Sequence, residues 1–426
     1  MVERNWAGNI AYEAAAFRAP ATVAEVQSIV AAAAKVRGVG SRHSFNDIAD
    51  TTGDQVSLAA LARTVELDAV ARTVTVDGGI KYGELANRLH AAGWALANLA
   101  SLPHISVAGA CATATHGSGS GNGNLATAVQ AMEVVSATGD LVDISRDDDP
   151  QLMDAMSVGL GAFGIVTGLT LAVEPAFSVR QWVYERLPMT TAIAQFDDIM
   201  AAGYSVSLFT SWRPDEIEQL WIKKRVEPAR EDTDADAGSG RFGATPSTAE
   251  MHPITGLPAE PCTEQLGVAG PWHERLPHFR MGFTPSSGDE LQSELFVARA
   301  DAPMVMQTLV ELHDVLAPVM KISEVRTIAA DTLWMSPAYG RDCASFHFTW
   351  VPSWTDVQPV LARVESALAP FAPRPHWGKL STLPGEVVRS RVERMTQFEA
   401  LVAEWDPQGK FRNAYLDALL GPSAAT

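Results

Sequence analysis

The sequence predicts an α+β fold in two domains, and three observations carry that expectation. Short β-branched segments and amphipathic stretches mix irregularly over the first 175 residues, without the regular strand–helix alternation of a doubly wound sheet. The run Gly159-Leu160-Gly161-Ala162-Phe163-Gly164 has dinucleotide-loop spacing, but a helical pattern (Gln151–Val158) precedes it and a strand pattern (Ile165–Val173) follows. A pyrophosphate loop needs the reverse order, so the run reads as a tight helix-to-strand crossing with backbone near a cofactor. In the second half, apolar strand-like runs carry polar pairs two residues apart, which a strand places on one face.

The elements follow in order. Residues 21–36 read as a helix, with Val23, Val26, Ile29, Val30 and Val36 recurring among alanines. Val56–Leu58 and Thr73–Val76 read as strands. Tyr82–Ala92 reads as a helix ended by Gly93. Gln130–Ser136 and Leu141–Ile144 flank Ala137-Thr138-Gly139-Asp140 as a hairpin. Asp147-Asp148-Asp149-Pro150 suits a helix N-terminus, where carboxylates meet the positive end of the dipole. Glu174-Pro175 marks a domain boundary, and Asp232–Ser247 reads as a mobile surface loop. Asp406–Asn413 reads as a turn returning the chain to the first domain. The expected division is 1–175, 176–379 and a returning segment, 380–426.

Composition narrows the function. Of 426 residues, 47% are hydrophobic and 19% charged, which suits a well-buried enzyme. A formal charge of −18 excludes nucleic acid and anionic membrane as partners, but not an anionic cofactor held by backbone amides. Cys111, Cys262 and Cys343 form neither a metal spacing nor a disulfide framework. No apolar signal core opens the chain and no run is long enough to span a membrane, so the cytoplasm is the expected compartment. The spacings of His273, His278, His347 and His376 match no metal-ligand pattern, and no metal is expected.

Arg37-Gly38-Val39-Gly40-Ser41-Arg42-His43-Ser44-Phe45-Asn46 puts glycines, hydroxyls and a histidine in one short loop. Glycines permit positive φ and close approach to a ligand, and successive turn amides can cradle an anion. A bound pyrophosphate needs such donors, and a planar ring beside it needs apolar walls. Ser41 and Ser44 supply hydroxyls, and His104, His116 and Gly117 to Gly123 offer a second face. With Ala100–Gly109 (Ala-Ser-Leu-Pro-His-Ile-Ser-Val-Ala-Gly) and Thr115–Gly119 (Thr-His-Gly-Ser-Gly), this loop resembles a flavin-binding domain of the vanillyl-alcohol-oxidase/p-cresol-methylhydroxylase type. The alditol oxidases are the nearest such family, over nearly the whole length. The resemblance implies a covalent FAD on His43. It implies further cofactor contacts from Gly38, Val39, Gly40, Ser41, Arg42, Ser44, Ser101, Ser106, Gly109, Thr113, Ala114, Thr115 and His116, with Ile165 and Val166 packed nearby. Arg42 stands where relatives also carry glycine, and its charge is expected to bear on the pyrophosphate or the flavin potential. Ala100 lies near the position that controls oxygen access.

In Ser323-Glu324-Val325-Arg326-Thr327 the acid and guanidinium share one strand face, as do His347 and Thr349 in Ser345–Trp350. From the residues alone, a structural ion pair and a core histidine are the better account, since such pairs are common. The resemblance adds that Glu-x-Arg-Thr, His-Phe-Thr-Trp and His-Trp-Gly-Lys elements occur here in the family's order. It implies a substrate pocket of Ser101, Glu324, Arg326, Thr349 and Lys379, with Arg326, Lys379 and His347 catalytic and the proton acceptor either Lys379 or His347. Such a mixed set of donors and acceptors suits an acyclic polyol such as xylitol or sorbitol. The implied reaction oxidises the terminal C1 hydroxyl to the aldose, with O2 reduced to H2O2, in a monomer. Competing readings are an aldonolactone oxidase, a dye-linked polyol dehydrogenase, and a flavin-binding protein without turnover. Pro253–Pro258 and Gly270–Arg275 also match family segments and read as packing loops.

Overall fold

The computed structural model describes residues 3–62, 64–226, 240–283 and 290–421. Three small sheets are built by the first part of the chain. β1 (Ala16–Arg18), β2 (Val36–Val39) and β3 (Asp54–Ser57) form a parallel trio in the order β1-β3-β2. β4 (Val65–Asp68), β5 (Thr73–Asp77), β7 (Val129–Val135), β8 (Leu141–Ser145) and β9 (Ile165–Ala172) form an antiparallel sheet ordered β4-β5-β9-β7-β8. β6 (Trp94–Ala95) pairs with β10 (Glu174–Pro175).

The nine-stranded sheet comprises β11 (Ser178–Pro188), β12 (Ser205–Thr210), β13 (Glu216–Arg225), β14 (Thr245–Pro246), β15 (Gly270–Pro271), β16 (Leu291–Ala298), β17 (Met320–Ile328), β18 (Cys343–Trp350) and β19 (Arg374–Pro375). Its order is β14-β11-β13-β12-β17-β18-β16-β19, with β15 added on β11. β18 is buried along its whole length. Its Phe346, Phe348 and Trp350 enter a core shared with helices Ala302–Glu311 and Trp354–Ala367, and strand alternation turns His347 and Thr349 to the opposite face. The architecture is α+β.

Local chemistry explains the helix starts. α1 (Val23–Ala32) begins at Thr22, whose hydroxyl accepts from Glu25 N at 3.2 Å, while the Glu25 carboxylate accepts from Ala21 N at 2.7 Å. Asp149 caps the helix Pro150–Met156 through Leu152 N. The helix expected over 21–36 stops at Ala32. Val36 N donates to Lys410 O at 3.0 Å, and Val36–Val39 pairs in parallel with β3, so tertiary pairing overrides the helical pattern. Arg37, Gly38 and Val39 therefore lie on a strand, not in the loop. Half of Asp232–Ser247 lies outside the described residues, but Thr245–Pro246 joins β11 as strand β14.

The last segment packs into the first core. Phe398, Val402, Leu416 and Leu419 join Val134 and Phe163 there, with Phe398 edge-on to Phe163 at 5.2 Å. Arg37 ties this end down by donating to Phe411 O, Leu160 O and Gly161 O at 2.9, 2.9 and 3.0 Å, and also to Ile48 O. Asn413 Nδ2 donates to the carbonyls of Asp47, Ile48 and Asp50. Phe398→Ala is expected to cost about 3–5 kcal/mol. Urea denaturation checks this as a lower midpoint at unchanged m.

Candidate active site

One cavity of about 1180 Å³ runs from the residue 38–44 segment to the polar face of the large sheet. Small-ligand pockets hold roughly 300–1,000 Å³, so this one has room for a large cofactor and a substrate together.

Its first end is lined by Gly38 to Ser44, Ser106, Gly109, Thr113, Thr115, Leu160 and Gly161. Gly40 and Gly109 face each other across Ser106: a Cβ on Gly40 would lie 2.1 Å from Ser106 Oγ, and one on Gly109 2.8 Å from it. Here glycine serves close approach. Positive φ falls instead on Arg42, at 62°. The Ser106 hydroxyl is buried without a partner, while Ser106 N donates to Ser41 Oγ at 3.2 Å. An orphaned hydroxyl, glycine-lined backbone and a neighbouring serine fit the pyrophosphate of a dinucleotide cofactor.

His43 stacks on Trp6 at 5.0 Å, with Nδ1 3.1 Å from Ser41 O. Burial lowers its pKa to about 4, so the ring is neutral at pH 7 and keeps a lone pair. The Arg42 guanidinium turns to Glu3, at 2.5 Å, and packs over Phe17 at 4.5 Å. That pairing ties its charge to a surface carboxylate, while the residue still lines the cavity.

Several expected residues stand elsewhere. Ala114, Ile165 and Val166 do not line the cavity. Ala114 is buried with φ 52°, Ile165 lies behind Gly38, and Val166 pairs with Val134 on β7. Gly117 to Gly123 are also off its wall, because Gly119 N donates to Thr327 O at 2.9 Å and docks this segment on β17. The His104 ring meets Met281 O instead. Conversely, His252, Pro253, Ile254, Leu257 and Pro258 line the cavity, so the segment expected only to pack forms part of its wall.

The second end gathers Ser101, Glu324, Arg326, His347, Thr349 and Lys379. Register explains how. Glu294 on β16 pairs with His347 on β18, His347 with Glu324 on β17, and Glu324 with Phe209 on β12. These neighbours form one cross-strand row on one face. Lys379 arrives from the turn after β19, and Arg326 reaches Ser101 Oγ at 3.4 Å. The two ends are clamped together, since Phe45 N donates to Gly378 O and Asn46 Nδ2 to Trp377 O and Lys379 O.

Glu294 is the residue that sequence reasoning missed. Its Oε1 accepts from Arg326 Nη2 at 2.8 Å and His116 Nε2 at 3.1 Å, and its Oε2 from Lys379 Nζ at 2.7 Å. Burial would raise this carboxyl, but Lys379, Arg326 and His116 pull it well below its ordinary value. Burial likewise opposes ionisation of Glu324, yet Arg326 and His278 hold it low. Burial lowers Lys379, with Glu294 opposing, and takes His347 down to about 3. His347 Nε2 is buried without a partner. The cluster can bind hydroxyl groups from both directions, stabilise an alkoxide between two cations, and take up a proton at a neutral imidazole. Among the described residues, no group of three His, Cys, Asp or Glu side chains is arranged for a metal, and no helix is long and apolar enough to cross a membrane.

Glu294→Ala removes the carboxylate partner of Lys379 and one of the two partners of Arg326, and a loss of about 3 kcal/mol is expected in denaturation. Both carboxyls titrate lower in the folded state than when unfolded. Their stabilisation is therefore complete above the ordinary value of 4.5 and lost as pH falls through the depressed folded values. Melting temperatures between pH 6 and pH 3 should fall on the acid side.

Residues 14–145 match the FAD binding domain family, and residues 292–419 match the D-arabinono-1,4-lactone oxidase family. An alditol oxidase from a Streptomyces species is 48% identical over 419 residues, covering 98% of this chain and 98% of its own. The L-gulono-1,4-lactone dehydrogenase of Mycobacterium tuberculosis is 26% identical over 429 residues, covering 98% and 99%. The crystal structure of cholesterol oxidase from B. sterolicum superposes with a TM-score of 0.76 at 16% identity, covering 98% of this chain and 96% of that one, a likeness of fold alone. The chain belongs to the alditol oxidase family, within the vanillyl-alcohol-oxidase type of FAD-binding oxidoreductases.

Proposed function

We propose that the protein oxidises the terminal C1 hydroxyl of acyclic polyols such as xylitol and sorbitol to the aldose. The observation that carries this reading is the single cavity joining a glycine-lined cofactor end to a cluster of mixed donors and acceptors. The 48% identity to an alditol oxidase supports it. In this reading residues 1–175 and 380–426 form the FAD-binding unit and 176–379 the substrate cap. His43 carries a covalent FAD, and the protein acts as a monomer.

FAD held by the Gly38 to Ser44 segment, Ser106 and Gly109 would supply a two-electron acceptor for the C1 hydride, with O2 as the final oxidant and H2O2 as its product. Arg326 and Lys379 stabilise the developing alkoxide. The hydroxyl proton goes to Lys379 or His347; Lys379 hydrogen-bonds Glu294, and His347 presents an unpartnered Nε2. Ser101, Glu324 and Thr349 hold the remaining hydroxyls so that C1 is presented in one orientation.

A second reading, oxidation of an aldonolactone, draws support from the match at residues 292–419. Xylitol, sorbitol and two aldonolactones, assayed with O2 and with an artificial acceptor, separate the readings and also test for a dehydrogenase. Polyol-dependent peroxide release is expected; turnover of lactones alone overturns the proposal. Acid-denatured protein should keep its yellow chromophore on the His43 peptide, and His43→Ala should release free FAD. His347→Ala is expected to slow anaerobic flavin reduction by roughly 10²–10⁴-fold. Near-normal reduction in that variant would move the proton acceptor elsewhere.

A further inference from the structure

Behind Glu324 stand two buried groups that the proposed chemistry does not use. Lys223 shares a face of β13 with Trp221 and is 1% exposed. Its Nζ donates to Leu276 O at 2.5 Å, Pro277 O at 3.2 Å and His278 Nδ1 at 3.3 Å. An ammonium has three hydrogens and no lone pair, so His278 Nδ1 accepts and the ring proton resides on Nε2. That nitrogen donates to Glu324 Oε1 at 2.8 Å. The imidazole is packed edge-on against Phe209 and Trp221, at 5.4 and 5.3 Å, which fixes its plane. Arg326 Nε lies 3.6 Å from the same oxygen. Among the described residues Glu324 Oε2 receives no hydrogen bond, and Glu324 lines the cavity.

We propose that Lys223 and His278 are positioning residues that engage one oxygen of Glu324 and leave the other for an inner hydroxyl of the polyol. The pair thereby sets preference for polyhydroxylated substrates over simple terminal diols. This inference rests on the polyol reading above. Burial lowers Lys223 to about 7, with Glu324 opposing, so at pH 6 it is an ammonium with all three donors engaged. Burial also keeps His278 neutral, at about 4.

The test compares kcat/KM at pH 6 for xylitol and for propane-1,2-diol, which lacks the inner hydroxyls, in flavin-loaded wild type, His278→Leu and His278→Gln. Leucine removes both the acceptor for Lys223 and the donor to Glu324, whereas glutamine keeps one of each. His278→Leu should lose about tenfold or more on xylitol, mainly through KM, and less than about twofold on the diol. His278→Gln should recover most of that loss. Equal losses on both substrates, or none on xylitol, overturn the inference. Wild type that oxidises the diol but not xylitol overturns the polyol reading instead, and the inference with it. If His278→Leu does not fold, the 15N spectrum of wild-type histidines, assigned against His278→Gln, decides. An Nε2-protonated ring is expected, and an Nδ1-protonated ring overturns the inference.

Discussion

The polar end of the cavity depends on keeping two buried carboxylates, Glu294 and Glu324, against two cations, the buried Arg326 and the partly buried Lys379. Glu294, Glu324 and Arg326 are largely withdrawn from bulk water and Lys379 partly so, and removing any one leaves its partners less well compensated. The arrangement therefore holds only as a set. It also holds only in one strand register, because a slip of one residue on β17 would carry Glu324 and Arg326 into the apolar layer occupied by Phe346 and Phe348. Helices packed on the far side of the sheet enforce that register, and so a core with no chemistry of its own governs where the charges meet.

The cofactor end is built on a different principle. It uses close backbone approach, with Gly40 and Gly109 leaving space on either side of Ser106, and few fixed charges. That division suits a protein of strongly acidic composition, since backbone donors need no net positive charge. The junction between the two ends is short and rigid: Phe45 and Asn46 hydrogen-bond the turn that delivers Lys379. A displacement of His43 would therefore be felt at the ammonium.

Legibility in the sequence followed locality. The residue 38–44 segment, the Glu324–Arg326 pair and the His347–Thr349 pair each lie within a few residues, so alternation and glycine spacing announce them. Glu294 does not announce itself, because Leu-Gln-Ser-Glu-Leu-Phe-Val-Ala reads as an ordinary strand and its three partners come from distant segments. Lys223 sits in Ile-Lys-Lys-Arg, which resembles the solvated end of a strand, and only the cover of Leu276 to His278 buries it. A lone carboxylate in an alternating apolar strand was the available signal for Glu294. The end of α1 was misjudged for the same reason, since the partner that ends it, Lys410, lies far along the chain.

That distant partner also means that the His43 loop is held from outside its own sequence. Val36 and Arg37, which lead into the His43 loop, bond to the carbonyls of Lys410 and Phe411, and Asn413 braces residues 47–50 from the other side. Local opening of the 410–413 segment would therefore release the loop from outside, without altering any residue of the loop itself.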